Sequence, residues 1–473
     1  MEDAVAATIR FDFNNAIAQG RAGADLVGVD ELAALEAVVR QYHAQLLAEK
    51  EAGRLGFAEL PWQPETADAC RRSAEEKKGR FDNFVVLGIG GSALGPIAVH
   101  NALRHPCYNL DARFRNGRPR FFVEDNIDPE RMQSLIDLLD VRRTLFNVIS
   151  KSGGTAETMA QFLIVREMLR GALGKDFAKN MVVTTDAKKG LMRELAALDG
   201  YEAFPIPANV GGRFSELTPV GLFPAAMAGI DGAAMLAGAR AMAQRCACDD
   251  LWKNPAYMAA AISFLADVRK GKHISVMMPY SSALRDIADW YRQLWAESLG
   301  KKHDLAGAVV HTGQTPVKAL GVTDQHSQVQ LYVEGPNDKL FTFIAVGKHR
   351  RDITIPKAFD DKEGAAYLGG HTLGGLFDAE RAGTQYALTQ AGRPNLTITL
   401  PRVDEESLGA LLYMFELQTA MAGKLYRIDA FDQPGVEAGK IAAYALMGRT
   451  GFEAERAKIE AASKQGRGTF VME

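Results

Sequence analysis

Cysteine is scarce: four residues in 473, at positions 70, 107, 246 and 248. So few thiols cannot staple a disulfide scaffold. A zinc site would repeat paired ligands, and only Cys246 and Cys248 form a C-x-C pair. They read as reduced thiols of a cytoplasmic protein. An excess of charge is missing as well. Lys plus Arg is 55 and Asp plus Glu is 58, a net charge of −3. That leaves no global footprint for nucleic acid or an anionic membrane, although a local basic pocket stays open. The N-terminus carries Glu2, Asp3, Arg10 and Asp12 in place of the apolar region of a signal peptide. The best membrane candidate, residues 219–243, holds Pro224, Asp231, Arg240 and several glycines. It reads as a Gly-bent core helix rather than a membrane span. Short repeats and low-complexity tracts are lacking too.

The remaining composition, 47% hydrophobic and 24% charged, is that of a globular chain long enough for two or three domains. Leu32, Leu35, Val39, Tyr42 and Leu46 predict a helix over 30–52, with Asp30 as its cap. From about residue 83, short apolar runs bounded by glycine alternate with helical spacing. Strands are expected at 84–87, 120–123, 145–149 and 181–184, which implies a parallel sheet covered on both faces. The alternation restarts after residue 270, with strands at 273–278 and 339–344. The second of these is expected to be antiparallel or at an edge, because no helical stretch leads into it. Long helices are expected near 285–299 and 408–422. Few strand signals occur over 205–255, where a domain boundary is placed. The expected organisation is an N-terminal helical arm (1–55), two α/β lobes (56–235 and 236–430) and a C-terminal helical segment (431–473).

Two Gly-rich turns carry chemistry. Gly88-Ile89-Gly90-Gly91-Ser92 stands where a strand hands over to a helix, so its backbone can approach an anion at the helix N-terminus. A dinucleotide fingerprint fits poorly: the acidic residues after the next strand, Glu124 and Asp125, lie well beyond the usual spacing of about 20. Ser150-Lys151-Ser152-Gly153-Gly154-Thr155 repeats the arrangement with three hydroxyls and a lysine, and Thr158 follows one turn later. A simple N-cap needs one hydroxyl, so this set points to a phosphomonoester. It is not a P-loop.

Several charged residues stand out. Glu297 continues the apolar spacing of Ile287, Trp290 and Leu294; a carboxylate buried there would suit proton abstraction, and one at the helix end would be solvated rim. Lys440 shares a face with Val436 and Ala443, behind Asp432 as a plausible cap and Pro434 near the first turn; it is either functional or a snorkelling lysine. Arg213, in Gly211-Gly212-Arg213-Phe214-Ser215, combines close backbone approach with a guanidinium clamp. His326, in Asp324-Gln325-His326-Ser327, shows little by itself.

Together these stretches resemble the phosphoglucose isomerase family, of the bacterial type, over about residues 55–445. The strongest likeness lies in Phe431-Asp432-Gln433-Pro434-Gly435-Val436-Glu437-Ala438-Gly439-Lys440. Val210-Gly211-Gly212-Arg213-Phe214-Ser215 is similar to a second signature, with Ala208 and Glu216 departing at its flanks. Gly88 to Ser92, Ser150 to Thr155, Glu297-Ser298-x-Gly300-Lys301 and Asp324-Gln325-His326 follow in family order.

The resemblance implies two sugar-isomerase lobes, each a mostly parallel sheet flanked by helices. It implies a cytoplasmic enzyme of glycolysis and gluconeogenesis that interconverts glucose 6-phosphate and fructose 6-phosphate without metal or organic cofactor. Gly91, Ser92, Ser150, Lys151, Ser152 and Thr155 would hold the phosphate, although Gly153-Gly154 stands where some members carry bulkier residues. Glu297 would move a proton between C2 and C1. Arg213 would steady the enediolate and orient Glu297. Lys440 and His326 would serve ring opening, and Gln433 would line the pocket. His326 would come from the other subunit of a homodimer, so the site would be shared. Other readings are a relaxed isomerase that also takes mannose 6-phosphate, a non-catalytic sugar-phosphate sensor and a nicotinamide-dependent oxidoreductase.

Overall fold

The computed structural model describes residues 8–18 and 25–464. A strand at Arg10–Asp12 (β1) precedes the first helix, Val29–Glu51 (α1). Asp30 does not cap that helix. Gly28 is the capping residue, and the Glu31 carboxylate accepts from its N–H at 2.7 Å. Asp30 lies inside the first turn, where a carboxylate favours the positive dipole end.

The first sheet contains Asn83–Leu87 (β2), Arg120–Glu124 (β3), Thr144–Ile149 (β4), Met181–Asp186 (β5) and Glu202–Ile206 (β6). Their order is β3-β2-β4-β5-β6, parallel throughout. Leu94–Leu103 (α2) follows β2, and Ala156–Leu173 (α3) follows β4. Side chains alternate as a period of two requires. On β2, Phe84 and Val86 enter the central core, whereas Val85 and Leu87 enter a separate core on the outer face.

Three helices follow: Pro219–Met227 (α4), Gly232–Arg245 (α5) and Pro255–Lys270 (α6). The stretch 219–243 is therefore two helices rather than one bent helix. Gly229 takes a left-handed φ of +76°, and Asp231 caps α5 by accepting from the N–H groups of Ala233 and Ala234. No helix among the described residues is long and apolar enough to cross a membrane. The expected divide between residues 235 and 236 falls inside α5.

The second sheet comprises Ile274–Pro279 (β7), Thr315–Lys318 (β8), Lys339–Val346 (β9) and Asn395–Leu400 (β10), with β1 added at one edge. The order is β1-β10-β9-β7-β8, and only β1 runs antiparallel. The N-terminal segment expected as a helical arm thus also supplies an edge strand. β9 is neither antiparallel nor at an edge. It lies between β7 and β10, parallel to both. The chain reaches it from the edge strand β8 through a short helix, Val329–Glu334, too brief to show helical periodicity. Continuous burial of β9, all eight residues, fits a strand with neighbours on both sides.

Helices Arg285–Leu299 (α7), Glu405–Tyr426 (α8) and Glu437–Leu446 (α9) complete the framework around the site. One continuous apolar core runs from Phe84 and Val86, through α4 to α8, to Leu340, Ile344 and Ile398 on the second sheet. The centre of this core is the crossing of α5 and α8. A Cβ on Gly238 would lie 1.8 Å from the Glu406 carbonyl oxygen, and one on Gly409 would lie 1.9 Å from that of Met235. Glycine is needed there for backbone approach, against its helix propensity cost of about 1 kcal/mol. Gly238→Ala and Gly409→Ala should therefore each destabilise the chain, by about 1–3 kcal/mol after the propensity gain. Thermal unfolding of both variants checks this; an unchanged or raised midpoint would show that the helices separate freely.

Candidate active site

Both glycine-rich turns lie at carboxyl ends of first-sheet strands. β2 ends at Leu87, Gly90 turns the chain with φ +57°, and α2 begins at Leu94. β4 ends at Ile149, Gly153 turns with φ +68°, and α3 begins at Ala156. β2 and β4 are neighbours, so the two turns share one edge, the usual ligand position in parallel α/β sheets. Ser150 Oγ accepts from the N–H of Gly153 and Ser152 Oγ from that of Gly154, each at 3.1 Å. Both hydroxyls keep their protons to donate. Thr155 occupies the N-cap of α3 without making a side-chain cap bond, which argues against a decorated cap.

These turns line a pocket of about 480 Å³, a size typical of small-molecule sites. Gly91, Ser92, Ser150, Lys151, Ser152, Thr155 and Gln433 all line it, as does Thr158. Gly212, whose neighbourhood to Arg213 points to close backbone approach, lines it as well; Asp186, Lys189 and Gly190 also line it and are not singled out by the sequence reading. A signal existed: the chain leaves β5 through Asp186-Ala187-Lys188-Lys189-Gly190 into another helix, repeating the strand–glycine–helix pattern. The Lys188 and Lys189 N–H groups hold the Asp186 carboxyl below the usual range.

Lys151 also ties two segments together. Its Nζ donates to the carbonyl oxygens of Ala208 (2.7 Å) and Val210 (2.8 Å), tying its turn to the Arg213 segment. Burial lowers its pKa, opposed by the nearby Asp186 charge. The first turn also packs directly on that segment, since a Cβ on Gly91 would lie 2.3 Å from the Gly212 carbonyl.

Arg213 is buried, at 4% exposure, and uses all three guanidinium nitrogens. Nε donates to Ser298 Oγ at 2.7 Å. Nη1 donates to Glu297 Oε2 at 3.2 Å and to Gln433 Oε1 at 2.9 Å. Nη2 donates to the carbonyls of Ala430 (2.7 Å) and Asp432 (3.0 Å). Burial pulls its pKa down, and Glu297 is the strongest opposing charge. Lys301 closes the same joint by donating to the carbonyls of Glu297 (2.6 Å), Ser298 (3.0 Å) and Asp432 (3.0 Å), a cation at a helix C-terminus.

Glu297 occupies the last turn of α7, beyond the buried Ile287, Trp290 and Leu294. Its side chain is 33% exposed, so it sits at the rim rather than within the apolar face. Gln293 Nε2 donates to its second oxygen at 3.1 Å. Asp432 does not cap a helix. Arg213 and Lys301 hold its carbonyl, a short turn at Pro434–Val436 intervenes, and α9 starts only at Glu437. Lys440 is exposed on α9 and pairs with Glu437 at 2.8 Å. α9 is docked by Tyr444, whose Oη donates to the Gly154 carbonyl at 2.8 Å. His326 is exposed in the turn Thr323–His326 and is not among the pocket residues. The acids considered for a dinucleotide, Glu124 and Asp125, are both paired with Arg131. No cluster of three or more metal-ligating side chains occurs among the described residues.

The fold and this pocket define a class: a two-lobed α/β protein with a pocket lined by hydroxyls and a lysine at one sheet edge and an arginine-held carboxylate beside it. The model of the family described as phosphoglucose isomerase matches residues 72–464. The chain is 50% identical over 471 residues to a glucose-6-phosphate isomerase of Carboxydothermus hydrogenoformans, covering 98% of this chain and 100% of that one. It is 46% identical over 401 residues to one of Rubrobacter xylanophilus, covering 84% and 90%. The crystal structure of a hypothetical protein from Thermus thermophilus superposes with a TM-score of 0.83 at 37% identity, covering 93% and 100%. A glucose-6-phosphate isomerase structure from Chlamydia trachomatis shares the fold, with a TM-score of 0.74 at 22% identity over 86% and 81%. The chain belongs to the phosphoglucose isomerase family, and its two sheets are the sugar-isomerase lobes of that fold.

Arg213→Lys keeps the charge but cannot reach five acceptors. It should cost about 2 kcal/mol, below the full penalty for a broken buried pair because Glu297 is partly exposed. Hydrogen exchange should rise over 430–436, and unchanged protection there would remove Arg213 from its joining role.

Proposed function

We propose that the chain interconverts glucose 6-phosphate and fructose 6-phosphate by ring opening and proton transfer through a cis-enediolate. The observation that carries this reading is the gathering of all seven expected binding residues on one pocket, with Arg213 joining its Gln433 to Glu297.

The residue types account for the steps. The phosphate binds to the Ser92 and Ser150–Thr155 turns and to the N-termini of α2 and α3, away from the reacting carbons. Its binding energy positions the sugar. Lys440 and His326 exchange protons with the ring oxygen and the C1 hydroxyl during opening. Glu297 takes the proton from C2 and returns it to C1. Arg213 offers positive charge to the enediolate that forms between these events. His326 of the partner subunit completes the site, which makes the working unit a homodimer. Lys440 must leave Glu437 to reach the sugar, so closure of α9 over the bound phosphate accompanies ring opening.

The direct test is conversion of fructose 6-phosphate to glucose 6-phosphate, coupled to glucose-6-phosphate dehydrogenase, with and without chelator. Turnover indifferent to chelator is expected; sugar-phosphate binding without turnover would favour the sensor. Glu297→Gln should lower kcat by about 10²-fold or more with little change in KM, and an unchanged kcat would remove Glu297 from the chemistry. Site sharing has its own test. Inactive Glu297→Gln and His326→Ala dimers, mixed and refolded, should regain about a quarter of parental activity, because half the dimers are mixed and each has one intact site. No recovery would mean that each subunit works alone.

A further inference from the structure

Glu216 and Glu416 have no place in that chemistry, yet they are among the most deeply buried charged-type residues, at 1% and 0% exposure. None of their four carboxyl oxygens has a hydrogen-bond partner among the described residues. Glu216 follows Arg213 by three positions. Its oxygens press against two glycines: a Cβ on Gly95 of α2 would lie 1.8 Å from Oε2, and one on Gly221 of α4 would lie 2.2 Å from Oε1. Glu416 belongs to the buried middle of α8.

Among the described residues no cation acts on either carboxyl, including those of α5, α6 and α7 that pack on α8. α4 has no titratable side chain, and α2 has only His100, whose imidazole burial holds down at about 4 and therefore neutral. On α8, Tyr413 is a buried neutral phenol that senses Glu416; Glu405, Glu406, Lys424 and Tyr426 lie toward its ends. The Arg213 guanidinium is turned to Glu297, Ser298 and the 430–433 segment. Burial alone raises the Glu216 carboxyl well above its usual range, and for Glu416 burial is joined by the Glu216 charge. An unpaired buried carboxylate costs far more than a neutral acid.

We propose that Glu216 and Glu416 are a pair of buried, uncharged carboxylic acids, and that Glu216 is a positioning residue that wedges the Arg213 turn against α2 for as long as it keeps its proton. Ser92 precedes α2 and Arg213 leaves the turn, so the wedge sets the distance between the phosphate end and the enediolate end of the pocket. This second part rests on the proposed role of Arg213, whereas the stability consequence does not. The folded chain binds these protons more tightly than the unfolded chain. The stability these two groups contribute is therefore full below about pH 4 and is lost as pH rises toward their raised folded values.

Glu216→Gln and Glu416→Gln replace each acid with a neutral isostere, and Glu216→Met offers an apolar side chain of similar volume should the amides prevent folding. Unfolding midpoints and kcat are followed from pH 6 to pH 9.5. Parental folding should weaken by up to about tenfold per pH unit for each carboxyl, and the variants should show a shallower slope. The ratio of kcat at pH 9 to kcat at pH 7 should be higher in the Glu216 variants than in the parent. Slopes parallel to the parent in every folded variant overturn the neutral pair. A shallower stability slope with an unaltered kcat profile overturns only the positioning role. An infrared band of protonated carboxyl in the parent at pH 8, lost in a folded variant, supports the pair; its absence from the parent overturns it.

Discussion

The contact between the Arg213 guanidinium and its five acceptors is the constraint on which the site depends. Those acceptors come from the last turn of α7 and from the segment entering α9, while the arginine comes from the chain that leaves the first sheet. Three stretches far apart in sequence thus share one planar cation. A fork of fixed N–H directions can do this where a flexible ammonium cannot. Its own charge is stabilised mainly by Glu297, which is held in turn by Gln293. The carboxylate proposed to move the proton and the cation proposed to stabilise the enediolate are therefore in register before substrate arrives.

Around this joint the fold divides two tasks between rigid and adjustable parts. The proposed phosphate end is built on neighbouring central strands, with glycines at φ +57° and +68° that let helix N-termini face one pocket. The Lys151 tether and the Gly91–Gly212 contact fix that end to the Arg213 turn. By contrast, α9 rests on few contacts, Tyr444 on Gly154 among them, and presents Lys440 to solvent. An element so lightly held can move when a ligand supplies the missing contacts.

Much of the fold could be read from the amino acids because its signals are local. Apolar runs closed by glycine marked β2, β4 and β5, and helical spacing marked α1, α7 and α8. Where the signal was not local, the reading failed. β9 is expected to be antiparallel or at an edge because no helical periodicity leads into it, but its place between β7 and β10 is set by sheet order, which the preceding connection does not encode. β10 is the exception: Leu396, Ile398 and Leu400 alternate with Thr397 and Thr399, a local period-two signal, yet the sequence reading places no strand there. Asp30 and Asp432 have cap chemistry, yet Gly28 with Glu31 and the Arg213–Lys301 joint took precedence.

The residue types of the two Gly-rich turns, and the motif order that resembles the phosphoglucose isomerase family, were determined by sequence alone. Backbone freedom, hydroxyl supply and family motifs are properties of short segments. Only the tertiary structure decided that the seven residues expected to bind substrate share one pocket and that Glu297 lies at a rim. It alone decided that Lys151 is a tether and that Glu216 and Glu416 are both buried without hydrogen-bond partners among the described residues. Those facts depend on which distant segments pack together, and the central core that brings them together is closed by helices α4 to α8 rather than by any motif.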